Sequence, residues 1–327
     1  MKSKIYLAIT IDTECDKGEK WIVKQPFSFH NIYNGVESQL QPIFDKYNVK
    51  ATYLLSPEII RDQKSVEIFK KFNSRVELGT HLHSEFIGPE ADFSSKTTKE
   101  FQSNFKPEIE KAKLKNLTTL FKDTFGYQPL SFRAGRFGIS EFSLKFLQDL
   151  GYLVDSSVTP DSTIKHKESN KVINFFGSPY QPYFPSLKDF RKKGKMKILQ
   201  VPVTVMHKKL LSLPLWLKRG FVVDKSYQHI IFNYLTKFSK QTWLRPTYAD
   251  FDEMKNITDD MILKAKGKDV FLCMMFHSNE FEVGMSPYSL TEDNVTKILD
   301  RLDTYLNWLT KKDDFHSLGL SEIKTKF

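Results

Sequence analysis

A chain of 327 residues can bury a large core, and 40% hydrophobic with 27% charged residues is the composition of an ordinary globular protein. Its net charge of +10 is spread along the chain without a helix-turn-helix, zinc-finger or ribonucleoprotein pattern. Nucleic acid is therefore set aside as a partner, and the charge reads as a solvated face, or as a contact for an anionic polysaccharide or acidic membrane.

Two cysteines, Cys15 and Cys273, make no disulfide framework, so a reducing compartment is the simpler reading. The first apolar run stops at Asp12 and Glu14 without a small-residue cleavage site, so it reads as a buried strand and not a signal peptide. No apolar stretch approaches the ~20 residues of a membrane span, and a cytoplasmic location is expected. Aromatic residues reach 14%, with 28 Phe, which fits either a Phe-rich core or sugar-stacking surfaces.

Short apolar runs alternate with helix-like stretches over the first 160 residues, the pattern of βαβ units. Ile5 to Ile11 is apolar almost throughout, as a parallel strand covered on both faces should be. Apolar residues at helical spacing follow from Val36 to Tyr47. Ala51 to Leu55 reads as a strand, Ile59 to Phe72 as a helix, and Val76 to His81 as a third strand. A long polar helix is expected from about Lys99 to Phe125, stopped by Gly126 and Pro129. Ser131 to Arg133 is a short strand, Glu141 to Leu150 a helix ended by Gly151, and Tyr152 to Asp155 a further strand.

Residues 160 to 200 are rich in Pro, Gly, Lys and Phe and read as an inserted loop region, with Ile198 to Val203 strand-like. Residues 207 to 265 are expected to be helical, a subdomain over one end of the fold. Val270 to Phe276 is the last clear strand and Asn294 to Leu309 a closing helix. The expected fold is a single domain over 1–327: a distorted (β/α) barrel with fewer than eight regular strands. A mainly helical insertion or lid occupies about 160–265.

Ionisable residues stand where strands end: Asp12 and Glu14, His81 and His83, Arg133, Asp155, His277. Side chains from different strands converge at the carboxyl end of a β/α barrel, and active sites lie there. Asp12 and Glu14 share a face if the chain is extended, which suits a base beside a metal ligand, or else a solvated acidic loop. His81 and His83, likewise two apart, can offer neutral nitrogens to a cation such as zinc. If the chain turns helical after His81, Glu85 becomes its neighbour instead.

Arg133 and Arg136 stand among glycines, where a guanidinium can hold a catalytic carboxylate ionised or simply face water. His277 can serve as a general acid if a carboxylate fixes its tautomer. Asp155 can supply that contact or merely cap a turn. Neither cysteine resembles a thiol nucleophile, and no Gly-x-Ser-x-Gly elbow or phosphate-binding glycine loop is present, so hydrolysis by metal-activated water is the best-supported chemistry.

Thr10-Ile11-Asp12, Ala51-Thr52-Tyr53, Gly79-Thr80-His81, Arg133 through Gly138 and Phe276-His277, in that order, resemble the motifs of the polysaccharide deacetylase (NodB-homology) family. Asp-Thr-Glu at 12–14, His-Leu-His at 81–83, Phe-His-Ser at 276–278 and Gly284 through Tyr288 look closest to its WalW-like branch. That branch is associated with bacterial surface-polysaccharide biosynthesis. Two positions depart from the family pattern. Thr13 stands where a second aspartate usually binds metal, and Glu85 stands where the second histidine usually lies.

The resemblance implies a divalent metal, zinc first, held by Glu14, His81 and His83, with Glu85 as the alternative carboxylate. Asp12 would be the base, Arg133 its orienting partner and His277 the acid. The implied reaction removes an acetyl group from an N-acetylated sugar of a polysaccharide or lipid-linked precursor. The alternatives are a metal-independent hydrolase acting on a non-sugar C–N bond and a catalytically inactive glycan-binding barrel.

Overall fold

The computed structural model describes residues 3–93, 101–165, 172–207, 210, 212–220 and 241–327. Among them the strands in chain order are β1 (Ile5–Thr13), β2 (Ala51–Leu55), β3 (Val76–Leu82), β4 (Ser131–Ala134), β5 (Val154–Asp155) and β6 (Thr163–Lys165). They continue with β7 (Val172–Asn174), β8 (Leu199–Gln200), β9 (Val205–His207), β10 (Gln241–Trp243), β11 (Val270–His277) and β12 (Phe315–Ser317). The helices are α1 (Gln41–Tyr47), α2 (Pro57–Arg61), α3 (Gln63–Phe72), α4 (Pro107–Phe125), α5 (Ser143–Asp149), α6 (Leu215–Arg219), α7 (Phe251–Ala265) and α8 (Glu292–Leu309).

Seven parallel strands form one curled sheet in the order β11-β1-β2-β3-β4-β5-β8, and β12 joins the start of β1. The strand alternation assigns the faces. Tyr6 and Ala8 pack inward with Leu54, Val154, Leu199, Phe271 and Cys273, and Leu320 and Ile323 join that cluster. Ile5, Leu7, Ile9 and Ile11 pack outward into the helix layer with Leu272, Met274, Phe276 and Leu302. All nine residues of β1 are buried because helices cover one face and the barrel interior the other.

The barrel is drawn shut beyond its last regular strand. After β8 the chain crosses to β11, where Thr204 N–H donates to Cys273 O (2.9 Å) and the Thr204 hydroxyl accepts from Cys273 N (2.8 Å). Below this crossing the Gln181 side-chain amide pairs with both main-chain groups of Phe271. The expected barrel with fewer than eight regular strands is therefore the one observed. Among the described residues, no helix is long and apolar enough to cross a membrane.

Several elements differ from expectation. The long helix starts at Pro107, not near Lys99, because a residue before proline is pushed out of the helical region; Lys106 is extended (ψ 150°). Residues 94–100 lie outside the described ones. The first helical stretch begins earlier than Val36, as a wide helix over Asn31–Leu40 that continues into α1. Residues 207 to 265 are not wholly helical: β9 and β10 pair antiparallel, with Met206 opposite Thr242. The expected helical content of 208, 209, 211 and 221–240 falls outside the described residues.

Candidate active site

Strand register brings the expected residues to one end of the barrel. Asp12 lies opposite His277 across β1 and β11, and His81 lies opposite Arg133 across β3 and β4. Gly79, two residues before His81, is the close-packed point of β3. A Cβ there would lie 2.3 Å from the Ser131 hydroxyl and 2.7 Å from Leu54, so only glycine lets the strands approach.

Arg133 runs through the barrel interior without solvent exposure. Its Nη1 donates to Asp12 Oδ1 (2.6 Å), its Nε to Ser156 O (2.9 Å), and its Nη2 to the hydroxyls of Thr10 and Ser156. Burial opposes the charge on Asp12, but Arg133, His81 and His277 outweigh it and hold the carboxyl below its ordinary value.

The Glu14 carboxylate faces both histidines: its Oε1 lies 3.1 Å from His81 Nε2 and 2.5 Å from His83 Nε2. The far nitrogen of each ring is committed elsewhere. His81 Nδ1 donates to the main-chain carbonyl of Arg133 (3.0 Å), and His83 Nδ1 donates to Glu85 (3.1 Å). Arg136, turned back by a left-handed backbone (φ 53°), holds Glu85 at 2.9 Å. Of the two carboxylates left open by sequence, Glu14 thus faces the point shared by both Nε2 atoms, and Glu85 stands behind His83.

This donor set fits a divalent cation. Glu14, His81 and His83 offer one ligand atom each, all within 4.8 Å of one another. With Nδ1 bonded to a carbonyl, His81 directs Nε2 at the Glu14 carboxylate, the arrangement by which both could hold one cation. Glu14 Oε2 is buried, and its partner is the Lys17 ammonium. Burial disfavours a charged His83, yet Glu14 and Glu85 push it up to about 9. The Lys17 ammonium thus supplies beside Glu14 part of the positive charge that a metal would bring.

His277 keeps 19% of its side chain exposed and stands at the mouth, its Nε2 4.0 Å from Asp12 Oδ2. Its Nδ1 bonds Glu280 (3.0 Å), whose other partners are Arg245 and Thr247. Burial raises the Glu280 pKa, but Arg245 chiefly, with His277, holds it below the usual carboxylate value.

Asp155 does not orient His277. Its strand neighbour is Phe132, on the helix-facing side, and it caps the next turn by accepting from Ser157 N (2.9 Å) and Ser157 Oγ (2.7 Å). The signal for Glu280 was present in sequence as a carboxylate three residues after His277, on a short 3₁₀ turn that folds back. Lys17 stands at the same spacing after Glu14, whereas Arg245 left no comparable signal.

No protein-family model matches the chain, and no curated protein matches it. Solved structures do. A Mycobacterium smegmatis protein assigned as a polysaccharide deacetylase superposes with a TM-score of 0.55 at 16% identity, over 100% of this chain and 91% of that one. PuuE allantoinase gives 0.54 at 12% identity, over 99% and 90%. The 4-alpha-glucanotransferase from Thermococcus litoralis gives 0.51 at 13% identity, over 99% of this chain and 41% of that one. At these identities the likeness is one of fold.

Proposed function

We propose that the chain is a divalent-metal-dependent hydrolase that removes acetyl groups from N-acetylated sugars of a polysaccharide or its lipid-linked precursor. The observation that carries this reading is the meeting of an arginine-paired Asp12, the Glu14–His81–His83 donor set and a carboxylate-oriented His277 at one end of the barrel. The fold shared with a polysaccharide deacetylase structure supports it, and the motif variants favour the WalW-like branch with its surface-polysaccharide role.

Glu14, His81 and His83 would hold the metal, and two imidazoles with one carboxylate suit zinc. Bound there, it would polarise the amide carbonyl and lower the pKa of water. Arg133 keeps Asp12 ionised and aimed, so Asp12 accepts the proton that water loses as its oxygen attacks the acetyl carbon. Cleavage of the C–N bond needs a proton on the departing nitrogen. His277 supplies it from Nε2 while Glu280 holds Nδ1, and acetate and a free amine result.

A second reading, a metal-independent hydrolase of a non-sugar C–N bond, rests on Lys17, whose ammonium already pairs with Glu14. One experiment sets the proposal against it. Purified protein is analysed for metal, and acetate release from N-acetylated oligosaccharides is followed after chelation and after zinc addition. The proposal expects release that chelation abolishes, zinc restores and Asp12→Asn eliminates. Release that persists in the metal-stripped protein overturns the metal requirement, and a protein that binds neither zinc nor the oligosaccharides favours the second reading. If wild type and Asp12→Asn bind an acetylated glycan equally and neither releases acetate with zinc supplied, the chain is a glycan-binding barrel.

A further inference from the structure

The mouth of the barrel carries aromatic rings that the hydrolytic chemistry leaves unused. The Trp21 ring lies 5.1 Å from His277, Tyr288 5.8 Å from Trp21, and Tyr248 5.4 Å from Tyr288. Trp243 follows at 6.1 Å from Tyr248 and Phe137 at 6.2 Å from Trp243, and Phe137 lies 5.9 Å from the Arg133 guanidinium. The arc starts at the acid and ends at the arginine that holds the base, so it frames the reacting centre.

Three of these rings, Trp243, Tyr248 and Tyr288, also line a cavity of about 420 Å³, together with Gln241, Thr247 and Glu253. Its size falls in the roughly 300–1,000 Å³ range of small-molecule sites. Tyr248 is 40% exposed, and Trp243 and Tyr288 are half-buried. Aromatic rings left facing water beside polar groups suit a ligand with one apolar face and a polar edge. A pyranose has that shape: its ring C–H groups form a flat apolar face and its hydroxyls project around the edge.

The cavity is also joined mechanically to the acid. Arg245 stacks against Tyr248 (4.1 Å) and Tyr288 (5.6 Å) while pairing with Glu280, the carboxylate that holds His277 Nδ1. Thr247, in the cavity wall, bonds the same Glu280. We infer that this cleft is a carbohydrate subsite, in which a pyranose of a glycan chain stacks on Trp243 between the near-perpendicular walls of Tyr248 and Tyr288, while an adjoining sugar presents its acetyl group beside Asp12 and His277. The inference rests on the deacetylase reading for what the adjoining sugar does, and on the cleft alone for binding.

The test is calorimetric titration of full-length Asp12→Asn protein, silent in hydrolysis, with N-acetylglucosamine and with its β-1,4-linked tetramer. Adding Trp243→Ala or Tyr248→Ala should weaken tetramer binding about tenfold, Trp243→Phe and Tyr248→Phe should restore most of it, and monomer binding should change less than twofold. With Asp12 intact, acetate release from the tetramer should lose kcat/KM in Trp243→Ala while release from the monomer does not. Tetramer affinity unchanged in folded Trp243→Ala and Tyr248→Ala overturns the subsite, as does failure of the tetramer to bind at all. If the tetramer binds through Trp243 but wild type with zinc never releases acetate, the subsite stands and the deacetylase reading falls. Acetate release with unchanged tetramer kcat/KM in both alanine variants has the opposite meaning.

Discussion

Arg133 and Asp12 meet at 2.6 Å inside the barrel, and Arg133 makes that contact with no exposure to solvent. Removing one partner of such a pair leaves an uncompensated buried charge, so Arg133→Met should destabilise the fold by about 3–5 kcal/mol. Asp12→Asn combined with Arg133→Met should recover part of that loss. Arg133→Lys should fall short of wild type, because a lysine cannot reproduce the guanidinium's contacts with Ser156 O, Ser156 Oγ and Thr10. Denaturant unfolding of the four proteins measures this. Equal stability of Arg133→Met and wild type would show that the pair is not the buried anchor described.

Glu14 and Glu85 should separate cleanly in metal binding. Loss of outer-shell partners costs about 10- to 100-fold in metal affinity or activity, and loss of a direct ligand should cost at least as much. Competitive chelator titration should therefore rank His81→Ala, His83→Ala and Glu14→Gln below Glu85→Gln in affinity. A Glu85→Gln protein that loses metal while Glu14→Gln keeps it would reverse the ligand assignment.

Lys17→Met removes the ammonium that neutralises Glu14. If a divalent cation takes that position, the variant should bind zinc more tightly than wild type and be less stable when metal-free. Zinc affinity unchanged by Lys17→Met would place the cation elsewhere than against Glu14.

Glu280 acts on His277 and not on substrate. Replacing His277 by Ala should cost on the order of 10²- to 10⁴-fold in kcat, the usual worth of a positioned acid. Glu280→Gln should cost less than that but still lower kcat, and Glu280→Asp should recover part of the loss, because the contact that fixes His277 Nδ1 depends on a carboxylate. A Glu280→Gln protein with wild-type kcat would assign Glu280 a packing role alone.

Asp155 gives a stability signature independent of metal. Burial pushes its pKa from 3.8 up to about 6, despite the hydrogen bonds from Ser157. The folded state therefore binds more protons than the unfolded state between about pH 4 and 6, and stability falls as pH rises through that window. The loss is at most about 3 kcal/mol. Asp155→Asn should flatten this fall, which equilibrium unfolding at pH 4, 5, 6 and 7 reads directly. An identical pH slope in both proteins would mean that Asp155 ionises in the fold as it does in the unfolded chain.

Much of this site was legible along the chain. A run such as Ile5 to Ile11 has one physical solution, a strand covered on both faces, and a polar residue at its end must then emerge at the strand's carboxyl edge. The same reasoning carried His81, Arg133 and His277 to that edge. Proline and cap geometry set the helix boundaries that were misjudged, as at Lys106 and Pro107, where a local steric rule outranked a broad polar pattern.

Sequence by itself determined the alternating strands and helices and the end of the barrel at which ionisable groups collect, because periodicity and turn chemistry are local properties. Tertiary structure decided which of those groups touch. Glu14 rather than Glu85 facing both imidazoles, Glu280 rather than Asp155 behind His277, and closure through Thr204 and Cys273 all depend on the path of the chain in space. Glu14 meets His83 across 69 residues of chain, and Arg133 meets Asp12 across 121. A sequence pattern specifies the face on which a side chain emerges, but only the curl of the sheet and the register between strands specify what stands opposite it.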